Sequence, residues 1–328
     1  MNPPVREIVR VIRKKHDFLI TTHLNPEGDA VGSAVGLALA LKKTGKKAVV
    51  CMADPVPEVL KFLPGADEVI VGQDNLPSGH TWEALIVVDA TSLERTGLFE
   101  DGNVPAPFII NIDHHISCAE FGNINWIDPH ASAAGELVYE LIKAIPVEMD
   151  KQIAVNLYTS IITDTGFFRY SNTTPRTHRI AARLLETGFN ATRVAEQIYE
   201  SRSFGTLKLL GEFLSAMEKS GDGRIAWSQI TEEMFRRTGA TPPDTEGFVN
   251  YPRSIRGVDV AMVVREKGAT SCSVSLRSKG AVNVATVAER FGGGGHRNAA
   301  GCTMEGGIDE IKSKVLGGIA EELGRGDT

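Results

Sequence analysis

Residues Phe108 to Ser117 read FIINIDHHIS. The apolar run Phe108-Ile109-Ile110 suits a strand buried on both faces of a parallel sheet. Asp113, His114 and His115 follow it, and open α/β sheets bind their ligands at the carboxyl ends of the strands. An acid and two imidazoles in succession are costly to bury unless they share a task. Metal ligation and phosphoryl chemistry both use that set. On this stretch alone, a strand end with two solvated histidines fits equally well.

Outward from this stretch the first half of the chain alternates. DFLITTH (17–23), KKAVVCM, DEVIV and EALIVVDA read as strands, Asp29 to Thr44 as a helix of small residues, and PEVLKFLPG as a short helix. Short apolar strands interleaved with helices predict an α/β fold with a mostly parallel, doubly wound sheet. At the N-terminus Val5, Ile8, Val9 and Ile12 follow helical spacing. ASAAGELVYELIKAI and DKQIAVNLYTSIITDTG are helical, with Leu137, Leu141, Ile142 and Ile145 on one and Ile153, Leu157, Ile161 and Ile162 on the other. TPRTHRIAARLLETG starts at Thr174-Pro175 and stops at Gly188, as helices do.

From Asn190 to Lys219 the chain is again helical, broken near Ser203-Phe204-Gly205, and reads as a connector. Beyond it RIAWSQI, VDVAMVVRE and TSCSVSLRS look like strands, and VNVATVAERFGG and IDEIKSKVLGGIAEEL like helices. The expected organisation is an α/β domain over 1–189, a helical connector over 190–219 and a smaller α+β domain over 220–328.

Composition narrows the function classes. A length of 328 residues suits two domains. No apolar run approaches ~20 residues, so no membrane span is expected, and the N-terminus lacks the apolar core of a signal peptide. Cys51, Cys118, Cys272 and Cys302 form no Cys-x-x-Cys pair, which argues against a zinc ribbon or disulfide framework and suits a cytoplasmic protein. A net charge of −6 argues against tight, sequence-independent binding of long nucleic acid. A small anionic substrate in a local basic pocket remains compatible with it.

Four places in the first domain present hard ligands near the end of an apolar element. In HLNPEGDAVGS, His23, Glu27 and Asp29 can converge in a strand-to-helix turn bent by Pro26 and Gly28. Asp29 alone reads more simply as a helix N-cap, and the three together reverse that preference. Asp89 ends the strand in IVVDATS, where an isolated acid more often marks a solvated turn. The third place is Asp113-His114-His115. The fourth is Asp164, in SIITDTGFFRY, near a helix C-terminus, where an acid opposes the helix dipole at roughly 0.3–1 kcal/mol. A bound cation would offset that cost. Drawn from these places as ligands, two of the imidazoles and four of the carboxylates suit Mn²⁺ or Mg²⁺ better than thiolate-bound zinc. So many ligands with an open position left over suit two metals about 3.5–4 Å apart bridged by one carboxylate, which activate water for attack at phosphorus.

The second domain carries FGGGGHRNAAG, Phe291 to Gly301. Gly292 to Gly295 would end a helix and turn backbone N–H groups toward one point, a nest for an anion. His296 and Arg297 follow, and the order is wrong for a P-loop. The plain alternative is a flexible helix terminator. Arg277, in SLRSKG, could reach the same pocket, although alone it reads as a solvated arginine. Phe167, Phe168 and Tyr170 could stack a base, with core packing expected for at least one of them. His16, His80, His130 and His178 read as surface residues.

HLNPEGDAVGS, VVDATS, NIDHHIS, TDTGFFRYSNTT and GGGGHRNAAG, in this order, together resemble the DHH phosphoesterase family with its C-terminal DHHA1 domain. The resemblance covers nearly the whole chain and is nearest the branch that hydrolyses short oligoribonucleotides and 3′-phosphoadenosine 5′-phosphate (pAp). It implies a two-manganese site between the domains, with Mg²⁺ as the alternative metal. His23, Glu27 and Asp89 would hold one ion, and Asp29, bridging Asp89, His114 and Asp164 the other. Asp113 would support the site, and His115 would meet the scissile phosphate or its leaving oxygen. Arg277, Gly293, Gly294, Gly295, His296 and Arg297 would hold the substrate's other phosphate or nucleotide end. A homodimer is also implied. In one departure, that branch commonly has aspartate where this chain has Glu27. Ligation is expected to survive the extra methylene.

The expected activity is therefore a two-metal phosphoesterase that cleaves short RNA to mononucleotides and pAp to AMP and phosphate. The rival activity is hydrolysis of cyclic or linear dinucleotides. In the rival of another class, a nucleotide sensor binds without cleaving, and Glu27 is the one feature that points to it.

Overall fold

A computed structural model describes residues 3–99, 103–268, 270–279 and 282–326, with the side chains of His296 and Arg325 outside the description. The chain divides into two compact units, Met1–Ser201 and Arg202–Thr328.

The first unit runs α1 (Pro3–Lys14), β1 (Asp17–Thr21), α2 (Gly28–Lys43), β2 (Lys47–Met52), β3 (Ile70–Val71), β4 (Ala84–Val88), β5 (Ile109–Asp113), β6 (Ile124–Ile127), α3 (Ala134–Lys143), α4 (Lys151–Asp164), α5 (Pro175–Leu185) and α6 (Ala191–Tyr199). Its six strands lie in the order β3-β2-β1-β4-β5-β6, all paired in parallel. The strand order therefore reverses between β1 and β4, the place where open α/β sheets form their crevice.

The all-apolar strand β4 (ALIVV) is buried at every position, as a central parallel strand must be. Phe18, Ile20, Ile86 and Val88 face one core, which α1 to α6 complete. Leu19, Leu85 and Val87 face the other, which is closed by Trp82 and by Leu98, Phe99 and Ala106 from the long β4–β5 connection.

The small residues of α2 have a steric cause. A methyl group at Gly32 would lie 2.4 Å from the carbonyl oxygen of Asn156 on α4, so the two helices approach backbone to backbone. Thr174 caps α5 with a reciprocal bond to Thr177 and Pro175 opens it, as the sequence predicts. DEVIV supplies only the two-residue strand β3, and PEVLKFLPG only a 3₁₀ turn over Glu58–Leu60.

The second unit runs α7 (Phe204–Ser215), β7 (Glu218–Lys219), β8 (Ile225–Ile230), α8 (Glu232–Thr238), α9 (Asn250–Ser254), β9 (Val260–Lys267), β10 (Ser271–Ser278), α10 (Val284–Glu289), β11 (Gly294–His296), β12 (Ala299–Glu305) and α11 (Ile308–Gly326). Its sheet has the order β11-β12-β10-β9-β8-β7, antiparallel except for β8 with β9. Val260, Met262 and Val264 pack with α10 and α11 on one face, while Ala261 and Val263 pack with α7 and α8 on the other. The helical stretch 190–219 divides between the units, α6 falling in the first and α7 in the second.

Candidate metal centre

The carboxyl ends of β1, β4 and β5 lie side by side, and each is followed by predicted ligands: His23, Asp89, and Asp113-His114-His115. Asp89, two per cent exposed, is the hub. Its Oδ2 lies 3.6 Å from His23 Nε2, and its Oδ1 lies 3.5 Å from His114 Nε2 and 3.6 Å from His115 Nδ1. Asp89 takes a left-handed backbone, with φ of 58°. Non-glycine residues adopt that conformation rarely, and where they do it often serves a site.

His114 Nε2 also lies 3.5 Å from Asp29 Oδ2 and 3.8 Å from Asp164 Oδ2. Two sets of ligand atoms thus lie within 4.8 Å of one another: Asp89, Asp113, His114 and His115, and separately Asp29, His114 and Asp164.

Hydrogen bonds aim these side chains. His23 Nδ1 donates to the Leu24 carbonyl at 2.7 Å and His114 Nδ1 to the Ala131 carbonyl at 3.2 Å. A carbonyl can only accept, so Nδ1 carries the proton in both rings and Nε2 turns inward, the arrangement that metal-ligating histidines use. Asp113 Oδ1 accepts from the His114 N–H at 2.7 Å and from His115 Nδ1 at 2.8 Å. Asp113 thereby fixes the turn and the ring that follow it.

Asp29 lies in the first turn of α2 and caps a different helix. It accepts from the N–H groups of Ala134 and Gly135 at the start of α3, and from Ser33 and Ser160. The simple N-cap reading of Asp29 is therefore wrong for its own helix, where Glu27 holds the cap position without a side-chain cap bond.

The cluster is crowded with negative charge. Burial opposes protonation of His23, yet Asp89 pushes its pKa up to about 9. For His114 burial is again outweighed, by Asp89, Asp29 and Asp164, and the pKa rises to about 11. His115 is raised as well, by Asp113 and Asp89 against its burial. Burial and then the Asp89 charge lift Asp29 to about 6, and burial with Asp29 lifts Asp164 well above the carboxylate range. Asp89 is held low, because His114 and His23 outweigh its burial.

A divalent cation fits this donor set. Oδ1 of Asp89 and Oδ2 of Asp113 are buried without a hydrogen-bond partner among the described residues, and buried carboxylate oxygens need one or a cation. Hard oxygen donors with two inward imidazoles suit Mn²⁺ or Mg²⁺.

Glu27 stands apart. It is exposed and belongs to neither ligand set, although its charge reaches His23 and Asp164.

Beyond Asp164 the chain turns through Gly166, Phe167 and Phe168, all with φ between 54° and 62°. A methyl group on Gly166 would strike the Tyr170 ring at 2.4 Å. Phe168 packs on His178, with ring centroids 4.9 Å apart, and meets the expectation of core packing, while Phe167 and Tyr170 are exposed. His16, His80, His130 and His178 are exposed, as expected.

In the second unit the glycine run is not a single nest. Gly292, with φ of 73°, turns the chain after α10, but Gly294 and Gly295 enter β11 and pair with Gly301 and Ala300 of β12. The reason is steric: a methyl at Gly293 would lie 2.2 Å from the Gly301 carbonyl oxygen, and one at Gly295 2.5 Å from that of Ala299. Gly294 differs, since no atom lies within 4 Å of its missing Cβ and its φ is not positive. Arg297 is exposed in the turn between β11 and β12. Arg277 is half-buried on β10, with Nη1 donating to the Leu276 carbonyl. The His296 side chain lies outside the described residues.

Residues 17–161 match the DHH family, N-terminal domain, and residues 210–321 match the DHHA1 domain. A Thermus thermophilus protein named bifunctional oligoribonuclease and PAP phosphatase NrnA is 35% identical over 98% of this chain and 94% of its own.

This chain belongs to the DHH family.

The Bacillus subtilis protein of the same name is 29% identical over 91% of this chain and 92% of its own. Among solved structures, an exopolyphosphatase-related protein from Bacteroides fragilis superposes with a TM-score of 0.93 at 27% identity, covering 99% of this chain and 98% of that one. Three of the five motifs that place this DHH-family chain by sequence, HLNPEGDAVGS, VVDATS and NIDHHIS, thus lie where β1, β4 and β5 end. Sequence reasoning passed over Ser33, Ser160 and Asn172, which bond to Asp29 or Asp164. Ser33 was findable four residues after Asp29 on a helix and Asn172 inside the TDTGFFRYSNTT motif, whereas Ser160 carries no sequence signal.

Proposed function

We propose that this protein is a Mn²⁺-dependent phosphoesterase that hydrolyses short oligoribonucleotides to mononucleotides and pAp to AMP and phosphate. One observation carries the reading: at the sheet's switch point a buried hub, Asp89, meets three histidines while one of its oxygens has no donor. The relatives named for oligoribonuclease and PAP phosphatase activity along nearly their whole length support the substrate class.

His23, Glu27 and Asp89 would hold one ion, and Asp29, Asp89, His114 and Asp164 the second, with Mg²⁺ as the alternative metal. Such a pair, when bound, supplies an activated water and offsets charge on the phosphate. The protein's own groups do the rest. Asp113 holds the His115 ring in place, and His115 donates to the scissile phosphate or its leaving oxygen. Arg277, Gly293, Gly294, Gly295, His296 and Arg297 bind the far phosphate or nucleoside. The open space at Gly294 suits close approach of a ligand to the backbone. The enzyme works as a cytoplasmic homodimer. Among the described residues no helix is long and apolar enough to cross a membrane.

The test is a hydrolysis panel with and without Mn²⁺, covering pAp, RNA from dimers to long chains, a cyclic dinucleotide and polyphosphate. Preferential turnover of pAp and the shortest RNAs is expected. Preference for the cyclic dinucleotide or polyphosphate would overturn the substrate assignment, and tight pAp binding without turnover would make the protein a sensor.

A further inference from the structure

The three side chains of the second ligand set come from α2, the β5 end and the end of α4, yet all three lean on one short segment. His114 Nδ1 donates to the Ala131 carbonyl. Asn172 Nδ2 donates both to the Ser132 carbonyl, at 3.0 Å, and to Asp164, at 3.1 Å to its carbonyl and 3.4 Å to Oδ2. Asp29 accepts from the N–H groups of Ala134 and Gly135 at 2.7 and 3.1 Å. Residues 131–135 are therefore a common brace for Asp29, His114 and Asp164. His23 and Asp89 instead follow the ends of β1 and β4.

The brace is itself fastened by an arginine. Arg176, in the first turn of α5, places Nη1 2.8 Å from Asp128 Oδ2 and Nε 3.2 Å from Glu136 Oε2. Asp128 and Glu136 flank the brace. Asp128 accepts the Ala131 N–H through its carbonyl and the His130 N–H through Oδ1. Glu136 is wholly buried, and its other oxygen accepts from Ser132 Oγ at 2.6 Å. A fully buried carboxylate persists only with a cation or good donors. One guanidinium thus pins both ends of the segment and neutralises its buried charge.

We infer that Arg176 is a positioning residue for the Asp29–His114–Asp164 metal site, acting through the 128–136 segment that its ion pairs to Asp128 and Glu136 clamp. The inference rests on the two-ion reading given above. It does not depend on the substrate.

The experiment counts Mn²⁺ bound per chain by calorimetry and electron paramagnetic resonance, with Mn²⁺ alone as the probe. The unsubstituted protein should bind two ions. Arg176→Met should weaken one of them about 10- to 100-fold, the range typical of groups that orient ligands, and leave the other unchanged. Arg176→Lys, which keeps a cation near Glu136 but loses the fork that reaches Asp128, should recover part of that loss.

The double variant Glu136→Gln/Arg176→Met removes the uncompensated buried charge. It should regain thermal stability in chelator while its second Mn²⁺ stays weak. Wild-type affinity at both sites in Arg176→Met, equal weakening of both, or recovery of Mn²⁺ affinity together with stability in the double variant would each overturn the inference. Fewer than two ions in the unsubstituted protein would instead refute the two-ion reading on which it stands.

Discussion

Asp89 Oδ1 lies 3.5 Å from His114 Nε2, and no group among the described residues donates a hydrogen bond to it. The pair follows the ends of adjacent parallel strands, β4 and β5, whose register sets Val88 beside Ile112. A backbone held left-handed at Asp89 turns the carboxylate toward the ring. Such a constraint survives only where the surroundings over-determine it.

His115 is tied to Asp113 on one side and lies 3.6 Å from Asp89 on the other. In the proposed mechanism it serves the phosphate rather than an ion. His115→Ala should lower kcat by about 10²- to 10⁴-fold, the usual worth of a positioned proton donor, with Mn²⁺ affinity within about twofold of wild type. Calorimetry with Mn²⁺ beside steady-state kinetics on pAp checks this. Loss of an ion in the variant would move His115 into the ligand set.

Asp164 shares its space with Asp29, Asp89 and His114 and is largely buried, which keeps its carboxyl well above the usual range. A folded-state pKa raised above the unfolded one means that ionised Asp164 destabilises the metal-free fold at neutral pH. Asp164→Asn should therefore raise the melting temperature in chelator, by an amount on the order of 1 kcal/mol or a few degrees. In millimolar Mn²⁺ the order should reverse, because the wild type gains the ion's binding energy. Melting curves with and without Mn²⁺ decide it, and a variant less stable in chelator would contradict the crowding argument.

Gly293 and Gly294 make a matched pair. A methyl at Gly293 would strike the Gly301 carbonyl oxygen at 2.2 Å, whereas at Gly294 it meets open space. Gly293→Ala should cost stability of about 1–3 kcal/mol through overpacking. Gly294→Ala should melt like wild type and instead raise KM for pAp several-fold. An unchanged KM in a well-folded Gly294→Ala protein would remove the glycine run from the substrate site.

Asp150 joins the start of α4 to the end of α2. Its Oδ1 accepts the Ile153 N–H at 3.0 Å as an N-cap, and Oδ2 lies 2.7 Å from Lys43 Nζ. Burial works against its charge, but Lys43 and the Ile153 N–H outweigh it and hold the carboxyl below its ordinary value. A depressed folded pKa gives stability that is present above the unfolded pKa of about 3.9 and lost as pH falls through the lower folded value. Asp150→Ala should cost about 1 kcal/mol at pH 7, mostly the cap, since the half-exposed ion pair adds little. The gap between variant and wild type should narrow in urea melts as pH falls from 5 through the folded value. A gap that does not narrow at all over that fall would assign the effect to packing.

Much of this was readable from residues. Strands buried on both faces are written as unbroken apolar runs, so β1, β4 and β5 and the acids and imidazoles at their ends stood out. Other elements lacked such a mark. β6 is a four-residue strand with asparagine at its second position, and β11 is glycine and histidine. The AAGCTME stretch becomes β12 only because β10 pairs along its whole length. DEVIV kept just two paired residues, lying at the sheet's edge, where only β2 pairs with it. The glycine run looked like a nest because sequence shows freedom of φ but not the backbone of β12 lying against it. Glu27 sits among ligands in sequence and yet is exposed and outside both ligand sets, since burial in a turn is set by neighbours that spacing does not reveal. The 131–135 brace works through carbonyl and N–H groups, which every residue possesses and no motif can advertise.

The all-parallel sheet has one more consequence, for the order in which the protein is made. Parallel strands cannot pair through tight hairpins and need long crossovers, so their contacts form late. His23 leaves the first strand, and Asp164 is the last residue of α4, after all six strands. A nascent chain that has not yet docked α4 can present only part of the cluster. A cation held by Asp29, His114 and Asp164 would therefore find its ligands together only after α4 has docked on the finished sheet.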